Sequence, residues 1–263
     1  MIRDRRVQYI LDRLNERSSL TVAEMSAELR ISEVTVRKIL AAMEQDGLLM
    51  RTWGGAVSKS GSLLELTYSE KQSRHLPEKK AIAKAAYDVI NDGEAIFIDT
   101  GTTTIELAKL ISQGTKRNVM ICTNAIDIAI EMSKTTDLRV YMFGGHLVNS
   151  LHCCVGDMTE SQLKTMSFDK GFITGDHFTL ERGFSTPDPQ VAVMKRVALS
   201  SCKIKYMLLD FSKYGNDSLA QIIPSDQINT LITDWHMPDE IAGKFEDRKV
   251  SVIRGLPAAE EKK

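Results

Sequence analysis

The sequence has little cysteine, and what it has does not form a recognisable metal or redox motif. The four thiols, Cys122, Cys153, Cys154 and Cys202, lack C-x-x-C spacing, and no histidine cluster stands beside them at the spacing of metal ligands. We therefore expect no metal site and four buried free thiols.

Long apolar runs are also missing. No segment approaches the roughly 18 consecutive apolar residues needed to cross a bilayer, and the stretch from Met1 to Arg6 goes straight into charge without the apolar core of a leader peptide. The sequence thus predicts a reduced, cytoplasmic protein with no membrane partner.

Two nucleotide motifs and a strong net charge are absent as well. Neither G-x-x-x-x-G-K-[ST] nor G-x-G-x-x-G after a strand occurs, so no cofactor is expected. The formal net charge of -1 gives no global attraction to nucleic acid, and any such binding must come from a local basic surface.

What is present is the composition of a globular protein of two domains. The chain has 263 residues, of which 43% are hydrophobic and 26% charged, which is enough apolar material for packed cores. Pattern changes divide it into an N-terminal domain (1–58), a linker (59–76), an α/β domain (77–257) and a tail (258–263).

The first domain begins with three apolar stripes at helical spacing. Thr21 with Glu24 forms a predicted capping box for the second helix, and Ser32 is the predicted cap of the third. The inward positions are Val7, Ile10, Leu11 and Leu14, then Val22, Met25 and Leu29, then Val36, Ile39, Leu40 and Met43. Three short helices in this order predict a helix-turn-helix.

The third helix would present its first turn to the major groove of DNA. Its outward residues are Glu33, Val34, Thr35, Arg37 and Lys38, of which Thr35, Arg37 and Lys38 are candidate contacts to bases or phosphates. The alternative is that Arg37 and Lys38 only solvate an exposed helix face.

Two short strands that turn at Gly54-Gly55 follow this helix, which ends at Gly47, and they predict a wing. The strands are read at 48–53 and 56–58. Arg51 and the two glycines, which let backbone approach a phosphate, extend the candidate DNA contacts. Trp53 either packs on the helices or contacts DNA.

Apolar strand-like segments alternate with helical ones from Pro77 onward, which predicts a largely parallel α/β sheet. The predicted strands lie at 95–98, 119–122, 140–143, 171–173, 206–209, 231–232 and 250–253. Ligands of such sheets bind at the carboxyl ends of the strands.

The residues after these strands are small and polar. The segment Asp99-Thr100-Gly101-Thr102-Thr103-Thr104 leads into a helix, where hydroxyls and free N–H groups predict a phosphate cradle. Further candidates at the same edge are Thr123, Asn124, Gly144, Gly145, Asp210 and Lys213, with Lys195 from a helix. Each alone is equally explained as a helix cap or turn.

The segment SEVTVRKILAAMEQDGLLMRTWGGA resembles the start of the DeoR family of bacterial regulators, in which a Ser-x-x-Thr-[Ile/Val]-Arg-Arg-Asp-Leu helix precedes an Arg-x-x-Gly-Gly-Ala wing. Ser32, Thr35, Arg37, Arg51, Gly54 and Gly55 match. Lys38 replaces an arginine of the pattern, and Ile39 replaces its aspartate. The resemblance adds Ser32 to the predicted DNA-binding set.

The later series DTGTTT, TN, FGG, FITGD and DFSKYG is similar to the sensor domain of that family. The resemblance implies an α/β fold like that of ribose-5-phosphate isomerase. In such a domain, a bound phosphorylated sugar or polyol is expected to relieve repression. The resemblance also implies that Thr102, Thr103 and Thr104 hold the phosphate, with Asp99, Asn124, Lys195, Asp210 and Lys213 around the sugar.

Three histidines stand in segments that are less typical of the family: His146, His152 and His177. They are either sugar contacts that tune specificity or ordinary loop histidines.

Two functions are consistent with these residues. A regulator needs no chemistry, binds operator DNA and is expected to act as a homo-oligomer, because one recognition helix covers half of a paired site. An isomerase would use Asp99, Asp210 and Lys213 for proton transfer beside a carbonyl, but the attached helix-turn-helix would then be unexplained.

Overall fold

A computed structural model describes residues 2–17, 19–46, 48–52, 54–57, 68–135 and 138–257. The chain divides into two compact units, residues 1–66 and 67–263. The first unit contains, in chain order, α1 (Ile2–Arg17), β1 (Ser19–Thr21), α2 (Val22–Leu29), α3 (Glu33–Gln45), β2 (Met50–Thr52) and β3 (Gly55–Val57).

The three helices of the first unit form the predicted helix-turn-helix around one small core. Buried side chains from all three helices meet there, among them Ile10, Met25 and Leu40, together with Leu49 just before β2. Both predicted caps of α2 and α3 are present, since Thr21 accepts from Glu24 N–H at 3.2 Å and Ser32 accepts from Thr35 N–H at 3.3 Å.

The predicted wing is a sheet of three strands rather than two. Strand β3 pairs antiparallel with β2 and also with β1, which precedes α2. A three-residue strand carries no readable period, which is why β1 was not predicted. Gly47, Trp53 and Ser58 lie outside the described residues.

The second unit begins with α4 (Tyr68–Ser73) and α5 (Leu76–Asp88), and the predicted linker therefore overlaps regular structure. Helix α4 has fewer than two turns, too few for a period to be read from the sequence. Its last turn is held from outside, because the ammonium of Lys79 donates to the carbonyls of Lys71 and Arg74. The part of the predicted linker at 59–67 and the tail lie outside the described residues.

The remaining elements alternate as predicted. They are β4 (Ala95–Ile98), α6 (Thr104–Gln113), β5 (Met120–Thr123), α7 (Ile126–Met132), β6 (Arg139–Met142), β7 (His146–Val148), β8 (Cys153–Val155), α8 (Asp157–Lys164), β9 (Phe168–Ile173), β10 (His177–Thr179), β11 (Gly183–Thr186), α9 (Pro189–Ser200), β12 (Cys202–Leu208), β13 (Ala220–Ile223), β14 (Thr230–Asp234), α10 (Asp239–Glu246) and β15 (Ser251–Gly255).

Seven of these strands form a parallel sheet in the order β15-β14-β12-β9-β4-β5-β6, which confirms the predicted α/β class. Successive side chains point to opposite faces of a strand, and each face carries its own core. Phe97 belongs to one core, and its neighbours Ile96 and Ile98 belong to the other.

Two small antiparallel sheets were not predicted. Strands β10, β11 and β13 form one, and β7 and β8 form a hairpin. Their strands are three or four residues long, so the alternation that identifies a strand is not established. The first of these sheets places side chains in the site described below.

The structure also bears on the predictions from composition. Cys122, Cys153, Cys154 and Cys202 are buried free thiols, as predicted. Burial raises the pKa of Cys122 to about 11, far above neutral pH. Among the described residues, no helix combines the length and apolarity of a membrane span.

Candidate functional site

The carboxyl ends of β4 and β9 border a small cavity that opens to solvent. These strands are neighbours in the sheet, and the chain leaves them in opposite directions, toward β5 and β6 on one side and toward β12 on the other. Such a switch point is where open α/β sheets bind ligands. The cavity is lined by Lys71, Thr100, Gly101, Thr102, Thr103, Leu151, Thr174, Gly175, Asp176, Thr186, Val191, Lys195 and Lys213.

Lys195 lines the cavity and forms a buried ion pair with Asp99, which does not itself line the cavity. The ammonium of Lys195, from α9, donates to Asp99 Oδ2 and to the Thr174 carbonyl at 3.0 Å. Thr174 N–H also donates to Asp99 Oδ2, at 3.2 Å. Asp99 is fully buried and Lys195 is 4% exposed. The pair thus fixes α9 to the carboxyl ends of β4 and β9.

The hydroxyl of Thr103 has no hydrogen-bond partner among the residues that the structure describes. Thr103 is 1% exposed, its Oγ1 makes no hydrogen bond, and it does not cap α6 although it stands at the N-cap position. A buried hydroxyl without a partner costs free energy. Its place in the cavity wall, at the start of α6, makes it available to a ligand.

Thr104, the third predicted phosphate contact, differs from its neighbour. Its hydroxyl lies 2.7 Å from the carbonyl of Asp99 and 3.0 Å from that of Gly101. Its single proton is therefore donated to the turn that precedes α6. Thr104 stabilises the loop and does not line the cavity.

Charged side chains from three separate segments also line the cavity. Lys71 of α4 donates to Asp176 Oδ1 at 2.8 Å, and Thr186 of β11 donates to Asp176 Oδ2 at 2.7 Å. Lys213 donates to the Gly175 carbonyl at 2.8 Å. Burial opposes ionisation of Asp176, but Lys71 and Lys213, with the hydrogen bonds from Lys71 and Thr186, hold its pKa below the ordinary value.

In addition to Asp99 and Thr104, five predicted effector contacts lie beside the cavity lining rather than in it. Thr123 donates to the Ile98 carbonyl at 2.6 Å, and Asn124 Nδ2 donates to the Cys154 carbonyl at 2.8 Å. These two residues join β4, β5 and β8. The others are Gly144, Gly145 and Asp210.

The two glycines and Asp210 have local structural reasons. The Gly144 carbonyl accepts from Thr159 at 2.9 Å, and a Cβ at Gly145 would lie 2.1 Å from Thr159 Oγ1, so both serve the packing of α8. Asp210 is 2% exposed. Burial opposes its ionisation, but Lys213 and the hydrogen bond from Ser212 lower its pKa.

None of the three histidines lines the cavity. His152 Nδ1 lies 2.9 Å from Asp127 Oδ2, and His177 Nδ1 lies 2.8 Å from Ser218 Oγ. His146 is exposed on β7. The interpretation as ordinary loop histidines fits these positions better than direct sugar contact.

Several lining residues were missed from the sequence. Thr174, Gly175 and Asp176 directly follow β9, and the rule that led to Asp99 and Asn124 would have found them. Thr186 and Lys71 had no such signal, because β11 and α4 were not predicted.

A second depression, lined by Lys164, Met166, Ser167, Ser200, Ser201, Cys202 and Lys203, is wider and more open. It lies at the amino ends of β9 and β12, away from the switch point. It contains neither the buried ion pair nor an unpartnered hydroxyl, and we place the candidate site in the cavity at the carboxyl ends.

The exposed face of α3 in the first unit carries the predicted DNA contacts. Arg37 pairs with Glu33 at 2.7 Å, and both side chains are about half exposed. Lys38 and Val34 are exposed, and the hydroxyls of Ser32 and Thr35 lie 2.9 Å apart.

In the wing, Arg51 Nη1 lies 3.7 Å from Glu44 Oε2. The two glycines of the wing, Gly54 and Gly55, have different surroundings. Gly54 is exposed with open space around its Cα. Gly55 is buried, and a Cβ there would lie 2.0 Å from the Leu20 carbonyl oxygen. Gly55 is therefore required for the pairing of β3 with β1.

Comparison with known proteins assigns the two units. Residues 6–61 match the DeoR-like helix-turn-helix domain, and residues 74–235 match the DeoR C terminal sensor domain. A helix-turn-helix joined to a sensor domain defines a DNA-binding transcriptional regulator. The chain belongs to the DeoR family.

Curated relatives cover nearly the whole chain. A putative aga operon transcriptional repressor from Escherichia coli O157:H7 is 32% identical over 94% of this chain and 92% of its own length. A lactose phosphotransferase system repressor from Staphylococcus epidermidis is 33% identical over 87% and 91%. The HTH-type transcriptional regulator GlpR from Haloferax volcanii is 30% identical over 97% and 99%.

Among solved structures, ribose 5 phosphate isomerase A from Neisseria gonorrhoeae is 14% identical, covers 52% of each chain and has a TM-score of 0.38. That likeness is too low to support an argument about function.

Proposed function

We propose that this regulator is a repressor of a carbohydrate-utilisation operon and that a phosphorylated sugar or polyol, bound in the cavity of the second unit, relieves repression. The observation that carries the proposal is the unpartnered Thr103 hydroxyl in the cavity wall at the start of α6. The names of the relatives, an aga operon repressor and a lactose phosphotransferase system repressor, support the same class of target.

The cavity suits an anion joined to a polar body. The dipole of α6 favours negative charge at its first turn, and Thr103 adds a hydroxyl donor. Lys71 and Lys213 add positive charge to the lining of the cavity. A phosphate at α6 would satisfy the buried donor, and the remaining polar wall, including Thr174 and Asp176, offers hydrogen bonds to hydroxyl groups.

On the DNA side, we propose that α3 enters the major groove with Thr35, Arg37 and Lys38 toward the duplex, and that Ser32, Arg51, Gly54 and Gly55 support this surface. The exposure of Arg37 and Lys38 is consistent with this role. The ion pair of Arg37 with Glu33 is exposed and therefore weak, so exchanging it for a base or phosphate costs little.

Effector control then requires that the phosphosugar bind more tightly to the arrangement that does not bind DNA. The size of the response equals the difference in its binding free energy between the two arrangements. No chemical step is needed.

The isomerase alternative is less well supported by the side chains. Asp99 Oδ2 is engaged by Lys195 and Thr174, and Asp210 does not line the cavity. Lys213 lines it but donates to the Gly175 carbonyl. The proposed acid and base are thus not brought together at one face of the cavity.

The test combines a thermal-shift screen with DNA release. The full chain is titrated with phosphosugars, each paired with its free sugar, and ligands that stabilise it are added to its complex with DNA selected from a random-sequence pool. Stabilisation and DNA release by a phosphosugar, but not by its parent sugar, support the proposal. If NMR shows that the protein converts ribose 5-phosphate to a ketose, the isomerase alternative is supported. No response to any phosphosugar would refute the proposed effector class.

We also infer a homo-oligomer on DNA, because one α3 reads only half of a paired site. Light scattering of the chain with its selected DNA tests this inference. One chain bound per duplex would contradict it.

A further inference from the structure

Helix α4 is the first described element of the second unit, and its side chain Lys71 reaches the cavity. The chain enters the unit through this helix, since α4 begins at Tyr68 and the first unit ends at residue 66. Among the side chains of α4 that the structure describes (71–73), Lys71 lines the cavity. A change at Lys71 is therefore a change at the point where the chain passes from one unit to the next.

Two contacts between described residues help to hold α4 in the second unit. The Lys71 ammonium is bound to Asp176, and the backbone of its last turn is held by Lys79, which donates to the carbonyls of Lys71 and Arg74. Lys79 is 3% exposed, so this second contact is shielded from solvent. The Lys71–Asp176 pair is more accessible, with 24% of each side chain exposed.

The carboxylate of Asp176 interacts with Lys71 and Lys213 as an anionic ligand in the cavity would. Its carboxylate accepts from Lys71 and from Thr186, and it faces the positive charge of Lys213. A ligand phosphate in the same cavity would compete for these donors and would also be repelled by the carboxylate.

We propose that the effector anion displaces Asp176 from Lys71, so that Lys71 is both a ligand of the effector and the residue that transmits its binding to α4. The inference rests on the proposed function, because it requires an anionic effector in this cavity. It assigns separate roles to the cavity lysines. Lys213 contributes affinity only, and Lys71 contributes affinity and the coupling to DNA release.

The test separates these roles by measuring two quantities in the full chain. Titration of the protein–DNA complex with phosphosugar gives a midpoint, which reports affinity, and a plateau, which reports the coupling between the two sites at saturation. The probes are fructose 6-phosphate, galactose 6-phosphate, ribose 5-phosphate and glycerol 3-phosphate, each beside its unphosphorylated parent.

Lys71→Met is expected to raise the midpoint about tenfold and to lower the plateau, so that saturating ligand no longer releases DNA. Lys213→Met is expected to raise the midpoint about tenfold with a wild-type plateau. Lys84→Met, an exposed lysine of α5 that pairs with Asp88, is the control and should change neither quantity.

Asp176→Asn distinguishes competition from a structural role. Removing the competing carboxylate should tighten binding of inorganic phosphate to the full chain about tenfold, measured by calorimetry, whereas a merely structural Asp176 gives equal or weaker binding.

Amide hydrogen exchange of residues 68–75 provides a readout without DNA. Phosphate should change the exchange of this segment in the wild type and not in Lys71→Met. An unchanged plateau in Lys71→Met, in a protein whose wild type responds to a phosphosugar, overturns the coupling role and leaves the proposed function intact. A wild type that responds to none of the probes refutes the proposed function for these sugars, and the two failures are therefore distinguishable.

Discussion

The two adjacent glycines of the wing should behave differently when each is changed to alanine. In Gly55→Ala, the new Cβ would lie 2.0 Å from the Leu20 carbonyl oxygen and 2.8 Å from Thr21 Cα. These are backbone atoms, which cannot rotate away. Strands β1 and β3 would have to separate by more than about 1 Å to restore van der Waals distance. In Gly54→Ala, the Cβ has nothing within 4 Å.

The expected loss of stability in Gly55→Ala follows from the contacts that the separation of β1 and β3 would disturb. The β1–β3 ladder has three residue pairs, and Leu20, which is 3% exposed, packs in the core between them and the helices. Overpacking of this kind costs about 1–3 kcal/mol in the free energy of unfolding. Gly54→Ala should leave the free energy of unfolding within about 0.5 kcal/mol of the wild type, as for other surface changes.

Urea unfolding of the full chain tests this difference. The chain has two tryptophans, and in a Trp235→Phe background shared by all variants the fluorescence of Trp53 reports on the first unit. DNA affinity is measured in parallel without urea, at a temperature at which every variant is folded. Equal stability of Gly55→Ala and Gly54→Ala would refute the packing argument. A loss of DNA affinity in Gly54→Ala without loss of stability would support close approach of DNA at the turn.

Three further predictions concern single side chains. Thr103→Val should weaken phosphosugar binding by about 1.5–3 kcal/mol without loss of stability, because the hydroxyl has no partner among the described residues. Thr104→Val should instead lower the free energy of unfolding by about 1 kcal/mol. Calorimetry measures the binding, and thermal unfolding measures the stability. Arg37→Ala should weaken binding to selected DNA by about 1–3 kcal/mol and leave unfolding unchanged, since its pair with Glu33 is exposed; unaltered affinity in an anisotropy titration would exclude a contact. Burial lowers the pKa of Lys79 from 10.5 to about 8. Between these pH values the unfolded chain therefore holds a proton that the folded chain has lost. The free energy of unfolding should rise with pH across this window, by at most about 3 kcal/mol. The difference between wild type and Lys79→Met in urea unfolding isolates that contribution, and a flat difference from pH 8 to 10 would contradict it.

Local sequence determined the elements whose signals are local. The capping box at Thr21 and Glu24 and the cap at Ser32 were readable because each uses residues three positions apart. The strands of the parallel sheet were readable because burial on both faces leaves short apolar runs between helical segments. The threonine loop after β4 was readable for the same reason, since the carboxyl end of a buried strand is the expected place for a ligand.

Tertiary structure decided which of those polar residues share a cavity. Thr103 and Thr104 are neighbours of the same type, but the turn before α6 consumes one hydroxyl and leaves the other without a partner. Asp176 meets both Lys71 and Thr186, although 105 residues separate it from Lys71. Helix α4 is held by a buried lysine of α5 rather than by its own propensity.

The sequence by itself thus determined the class of the two units and the edge of the sheet that holds the candidate site, because these depend on periodicity and on caps within a few residues. The assignment of Gly55 to packing, of Thr103 to the cavity and of Lys71 to the site depended on contacts between segments far apart in the chain. Such contacts leave no local pattern, since the energy of a side chain in them depends on which partner the fold brings to it.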